Sequence, residues 1–152
     1  MTGSAGPAVS VCFTVKIGRD DELGRFTTCE GLGCEMVLEQ REEGGNNGFV
    51  WQLPSRIKYT NVKLSRPLDQ DSSKLTAWLT SFASGVQRQT ATITAMTADG
   101  DPVTSWVLDG VIPVRWSGPS LNPDSAKVLT ETVELAHHGF LPGQNPHAGP
   151  RS

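Results

Sequence analysis

Residues 41–66 read REEGGNNGFVWQLPSRIKYTNVKLSR. An apparent strand end at Arg41 enters a Gly/Asn-rich loop, and residues 56–66 then alternate as a long strand that is basic at both ends. Successive side chains on a strand point to opposite sides. Ile57, Tyr59, Asn61, Lys63 and Ser65 therefore share one face, and Lys58, Thr60, Val62 and Leu64 the other. Both faces mix polar and apolar groups, so neither is plainly core nor plainly solvent. Such a strand is unusual in a lone monomer and ordinary in an assembly. The stretch carries no catalytic arrangement. It reads as a surface for contacting another copy of the same chain, with Trp51, beside the loop, as its aromatic anchor.

Outward from it, the same period-2 signal recurs. Val11–Ile17 alternates, with Val11, Phe13, Val15 and Ile17 on one face. GRDDELG then reads as a turn, Arg25–Glu30 as a short strand, and Gly31 and Gly33 as a bulge or sharp bend. Glu35–Arg41 reads as a strand with Met36 and Leu38 on one face and Glu35, Val37 and Glu39 on the other. Over residues 69–84 the period changes: Leu75, Trp78, Leu79 and Phe82 fall at i, i+3, i+4 and i+7, the stripe of a helix packed on a sheet. Asp71, Ser72 or Ser73 can cap its start, and Gly85 suits its end. Gln87–Ala98 and Val103–Val107 flank Asp99-Gly100, a hairpin signal, and Asp109-Gly110 reads as a bulge before Val111–Trp116. After the loop SGPSLNPDS, Lys127–His138 is the last strand, setting Val128, Thr130, Thr132, Glu134 and Ala136 against Leu129, Glu131, Val133, Leu135 and His137. About seven strands and one flanking helix (residues 70–84) predict a mostly β, α+β fold: an antiparallel barrel or sandwich over residues 11–140. Residues 1–10 and 141–152 read as flexible arms.

Composition narrows the function. The 152 residues suit one domain, 37% are apolar and 19% charged, and 16 Gly with 10 Pro imply many turns. A formal charge of −3 gives no basic footprint for nucleic acid. Cys12, Cys29 and Cys34 form no CxxC and read as reduced thiols. Residues 1–8 lack the basic start and apolar run of a signal peptide, and no stretch approaches a membrane span, so cytoplasmic synthesis, a soluble product and no membrane insertion are expected. There is no GxSxG or HExxH motif, GGNNG lacks the Lys-Ser/Thr of a P-loop, and GLGCEM lacks the third Gly of a dinucleotide loop. His137 and His138 are strand neighbours on opposite faces, poorly placed to share a metal. No enzyme, metal or cofactor is expected. The four tryptophans (Trp51, Trp78, Trp106, Trp116) read as core and interface packing rather than sugar platforms.

Three stretches carry a family resemblance: EQREEGGNNGFVWQLPSRIKYTNVKLSR (39–66), WLTSFASGVQRQTATITAMTADGDP (78–102) and VIPVRWSGPSLNPDSAKVLTETVELAHHGF (111–140). In order and spacing the chain resembles the inner tube proteins of contractile phage tails and phage-tail-like contractile injection systems, from about Phe13 to Phe140. It departs at Ser55, where Gly is common, and at Ala98, where an acid is common. The resemblance implies a barrel or sandwich with a flanking helix, assembled as stacked hexameric rings into a hollow tube inside a sheath. Contraction drives that tube and its cargo through a target envelope. Expected partners are the chain itself, the sheath protein, baseplate, spike and tube-initiator proteins, and lumenal cargo, in a phage tail or similar particle. The arm Glu42, Glu43, Gly44, Gly45, Asn46, Asn47, Gly48 and Phe49 would reach a neighbouring subunit. Arg41, Arg56, Lys58 and Arg66 would make polar contacts between subunits, and Thr90, Thr92 and Thr94 would line the lumen. Two alternatives stand beside this: a tube-initiator or baseplate-adaptor paralogue of the same fold, and a monomeric β-barrel that binds a small ligand in a tryptophan-lined pocket.

Overall fold

Alternation in the sequence is realised as strands, with one helix closing a side of their core. A computed structural model describes residues 9, 12–19, 21–41, 51–85, 87–119, 121 and 128–142, with residues 41 and 51 as backbone only. The elements are β1 (Cys12–Ile17), β2 (Asp21–Phe26), β3 (Thr28–Glu30), β4 (Cys34–Arg41), β5 (Trp51–Tyr59), β6 (Val62–Pro67), α1 (Ser72–Ser81), β7 (Gln89–Met96), β8 (Pro102–Ser117), β9 (Thr130–Ala136) and β10 (Gly139–Leu141). The main sheet runs β2-β1-β7-β8-β9-β6-β3, with β10 beside β8, while β4 and β5 form a separate pair. Every pairing is antiparallel.

The long strand β8 makes the architecture. Its first part, Pro102–Val111, pairs with β7, and its second, Ile112–Ser117, pairs with β9. Between them the register slips opposite Gln89/Ala91, leaving Asp109 and Gly110 outside the β7 register. Gly110 has a φ of 62°, a conformation L side chains resist, and a Cβ there would sit 2.7 Å from His138 Nδ1. A bulge of this kind bends a strand. The sheet therefore folds over on itself as a sandwich and is not closed into a barrel. Its two end strands, β2 and β3, are joined through Thr27 alone, whose N–H and hydroxyl both donate to the Ser65 carbonyl, at 2.9 and 3.1 Å.

Between the layers lie Val15, Ile17, Leu23, Phe26, Val62, Leu64, Ala91, Ile93, Leu108, Val111, Val133 and Leu135, closed at one side by Leu75 and Trp78 of α1. The inward faces are those the period assigns to β1, β7 and β9. Leu79 and Phe82 pack against this cluster half-buried, completing the helical stripe.

Several boundaries differ from the sequence reading. The described residues form ten strands where about seven were expected. GRDDELG is not all turn, because β2 begins at Asp21. The expected 25–30 strand is divided at Thr27 between two ends of the sheet. The helix occupies Ser72–Ser81 only, and its N-cap Asp71 makes no side-chain cap; Asp69 instead accepts the Asp71 N–H at 2.8 Å. The expected continuous strand 56–66 is broken at Thr60-Asn61. Gly31 (φ 91°) causes that break to be tight, since a Cβ there would collide with the Asn61 carbonyl. β10 extends through Leu141, one residue into the expected tail, while residues 1–8 and 143–152 lie outside the described residues. No helix among the described residues is long and apolar enough to cross a membrane.

Candidate functional site

The β4–β5 hairpin stands apart from the main sheet, and its register sorts its side chains into two unlike faces. Met36 opposes Ile57 and Leu38 opposes Pro54, with Ser55 left out by a bulge. That face is apolar, yet Met36 is 49%, Leu38 48% and Ile57 46% exposed. On the other face Glu35 opposes Lys58, Val37 opposes Arg56, and Glu39 opposes Leu53. A two-stranded unit with an uncovered apolar face is marginal by itself. Such a face is a mark of an interaction surface.

Of the expected contact residues, Arg56 and Lys58 are exposed on the charged face of this hairpin. Arg41 and Trp51 pair their backbones at its outer end. Glu42, Glu43, Gly44, Gly45, Asn46, Asn47, Gly48 and Phe49 lie outside the described residues. Arg66 is corrected: it is 1% exposed and its guanidinium has its partners inside the chain. Nε donates to Glu131 Oε1 at 3.0 Å, Nη1 to the Leu23 carbonyl at 2.6 Å and Nη2 to the Asp71 carbonyl at 2.9 Å. The sequence held the signal for this pair, because Glu131 shares the inward face of β9 with Val133 and Leu135, and a carboxylate there needs a cation.

The hairpin is anchored at its root. His137, 8% exposed, lies against Tyr59 and Phe140, with ring centroids 5.5 and 5.3 Å away. Its Nδ1 accepts the Gly139 N–H at 3.1 Å, so Nε2, 3.1 Å from the Thr60 carbonyl, is the N–H that donates there. His138 is exposed on the opposite side. Among the described residues no group of three His, Cys, Asp or Glu is placed to hold a metal.

A second surface is the outer face of β2-β1-β7-β8. Thr90, Thr92 and Thr94 all lie on it, half-buried, while Ala91 and Ile93 point inward. The pairings place Arg25, Thr14, Thr94 and Ser105 in one row and Glu22, Lys16, Thr92 and Val107 in the next. This face is rich in hydroxyls, with charges of both signs.

The ligand-binding alternative expected a pocket lined by tryptophans. A cleft of about 710 Å³ between α1 and β2 meets Trp78, whose indole N–H donates to Gln89 Oε1 at 3.1 Å. Another, of about 490 Å³ at the hairpin root, is lined by Glu30, Lys58, Lys63 and Glu134 among others and by no tryptophan. Neither gathers the aromatic lining that reading requires.

The cysteines separate by environment. Burial first, and then the Glu30 carboxylate, pushes the Cys29 thiol from 9.0 up to about 11, while Cys34 is exposed. Thiolate is the reactive form, so at pH 8 iodoacetamide is expected to modify Cys34 and spare Cys29, as read by peptide mass. The sign for stability follows from linkage. The unfolded chain releases the Cys29 proton first, so this group costs stability as pH rises from about 9 toward 11 and contributes nothing below.

Among the described residues, the exposed apolar face of the hairpin and the hydroxyl-rich face of the sheet are the surfaces that stand out. The T4-like virus tail tube protein gp19 family matches residues 9–141, and the chain belongs to that family. It is a structural subunit of a tail tube, part of a tail or tail-like particle, and not an enzyme. No curated protein matches the sequence. Among solved structures, a chain of the six-fold symmetrised anti-feeding prophage baseplate is 25% identical with a TM-score of 0.72, covering 91% of this chain and 96% of that one. A chain of the sheath-tube complex of PVC, an extracellular contractile injection system, in its extended state shares the fold at TM-score 0.75 and 19% identity, covering 90% and 91%. Hcp1 from Salmonella typhimurium shares it at TM-score 0.51 and 16% identity, covering 85% and 83%.

Proposed function

We propose that this chain forms the inner tube of a contractile injection system or phage tail, as stacked hexameric rings enclosing a cargo-carrying lumen. The observation that carries the reading is the β4–β5 hairpin, ordered but detached from the main sheet, with Met36, Leu38 and Ile57 half-exposed on one face. A neighbouring copy covers that face, and the arm 42–49 with Arg41, Trp51, Arg56 and Lys58 completes the contact. A head-to-tail contact of this kind closes into a ring or stacks into a filament. The Thr90, Thr92 and Thr94 face lines the lumen, where hydroxyls stay hydrated and let cargo slide. Sheath protein surrounds the tube, and baseplate, spike and initiator proteins template its end. Contraction pushes the rigid tube through the target envelope.

Native mass at rising concentration tests this. The main-tube reading expects a six-copy species that grows into larger multiples. The second reading, a tube-initiator or baseplate adaptor, is favoured by the likeness to a chain of a baseplate structure. It expects growth to stop at a single ring. A monomer at every concentration, with or without an initiator ring, overturns both.

A further inference from the structure

We infer that His137 is a positioning residue that fixes the direction in which the β4–β5 hairpin leaves the body of the fold, and so where its apolar face is presented. The hairpin continues an antiparallel ribbon that starts in the main sheet. β3 pairs with β6 as far as Glu30 opposite Lys63, and β4 resumes with β5 at Cys34 opposite Tyr59. Between them both chain segments leave strand geometry, at residues 31–33 and at residues 60 and 61. Across this gap the Thr60 N–H and hydroxyl both donate to the Gly33 carbonyl, at 3.4 and 3.2 Å. A ribbon interrupted on both strands can pivot unless something outside it sets the angle. On the first strand Leu32 packs against the core, but it stands between two glycines, which leave the chain on either side free to turn. The angle is therefore set on the second strand.

There the segment after β9 grips it. His137 Nε2 donates to the Thr60 carbonyl and Nδ1 accepts the Gly139 N–H, each at 3.1 Å. One imidazole thus bridges the hairpin root to the start of β10, which is itself paired to β8 at Asp109. The Tyr59 ring lies on the same segment, 5.5 Å from the His137 ring and 5.7 Å from that of Phe140, and a Cβ on residue 139 would come within 2.9 Å of it. Ring packing tolerates sliding, whereas a hydrogen bond weakens steeply when bent, so the bond to Thr60 sets the angle. A neutral imidazole suits the task because it carries one donor and one acceptor on a rigid ring. His137 is buried, so water does not readily take its place. The consequence for assembly rests on the tube-subunit reading: a neighbouring copy meets Met36, Leu38 and Ile57 in one place instead of over a swept arc.

The test compares wild type with His137→Phe, which keeps a ring against Tyr59 and Phe140 but removes both hydrogen bonds. Hydrogen exchange and native mass are measured on the full chain at equal, dilute concentration. Exchange is expected to quicken at least several-fold in residues 34–41 and 51–60 while residues 89–96 and 102–117 stay as in wild type. Two further variants separate the bonds and serve should the first fail to fold. His137→Gln places an amide N–H where Nε2 stands and is expected to keep the hairpin protected. His137→Asn keeps an acceptor for the Gly139 N–H but is too short to reach Thr60, and is expected to release the hairpin. Unchanged hairpin exchange in the Phe variant, equal behaviour of Gln and Asn, or faster exchange throughout the sheet overturns the proposal. Released variants are expected to need higher concentrations than wild type to form multiple-copy species. If they assemble as wild type does, the hairpin reading of the tube contact fails, while the exchange data still decide the role of His137.

Discussion

Glu131→Ala is expected to destabilise the chain by about 3–5 kcal/mol, the usual cost of leaving one member of a buried ion pair without the other. The pair is 3.0 Å apart and sealed from solvent. Removing the carboxylate strands the Arg66 cation among Phe26, Leu23 and the core, and truncation adds a cavity between β9 and β6. Urea unfolding followed by tryptophan fluorescence reads the loss directly, as a lower midpoint at unchanged slope. The double replacement by apolar side chains is expected to be far milder than either single change, since no charge is left buried. Equal losses in single and double variants would show that packing, not charge, holds this corner.

The second large effect falls on assembly rather than on folding. Met36→Lys with Ile57→Glu replaces a directly opposed apolar pair on the hairpin by a pair of opposite charges. The hairpin keeps a favourable cross-strand pair, and neither residue belongs to the buried core. Fold stability is therefore expected to change by less than about 1 kcal/mol. Covering two half-exposed apolar side chains is worth about 2–3 kcal/mol per contact, so each contact should weaken about 30- to 150-fold. Around a ring the losses multiply, and the variant is expected to run as a folded monomer in sedimentation where wild type assembles. An assembly unchanged in size would remove the hairpin face from the interface.

Local chemistry explains which parts of this fold the sequence displays. Asp99-Gly100 between two alternating runs yields the β7–β8 hairpin, because that dipeptide favours the turn whatever surrounds it. The Leu75 and Trp78 stripe gives α1, and the parity of β9 gives its inward face, Glu131 included. The break between β5 and β6 was not legible. Alternation runs straight through Thr60-Asn61, and the cause lies some thirty residues away in the Gly31 backbone pressed against the Asn61 carbonyl. β2 was hidden for a similar reason. Its Asp-Glu start and Gly24 resemble a turn, but Gly24 (φ 97°) is where Asp71, at the head of α1, approaches too closely for any side chain.

Which cations lie exposed was half legible. Arg56 and Lys58, read in the sequence as candidates for contacts between copies, lie exposed on the hairpin. Arg66 carries the same charge in the same run, yet it follows the inward parity of Val62 and Leu64 and meets a carboxylate 65 residues away. Charge alone cannot separate these cases; parity with the buried face can. Met36 and Leu38 read as one face of an ordinary strand, and only the detachment of the hairpin from the sheet leaves them uncovered.

Cryo-electron microscopy of the purified full-length chain at high concentration, alone and with an initiator ring, tests the central claim most directly. The account predicts hollow tubes of stacked six-fold rings, with the β4–β5 hairpin of each copy lying on its neighbour and Thr90, Thr92 and Thr94 facing the lumen. Isolated monomers under both conditions, or tubes whose hairpins point free into solvent, would contradict it.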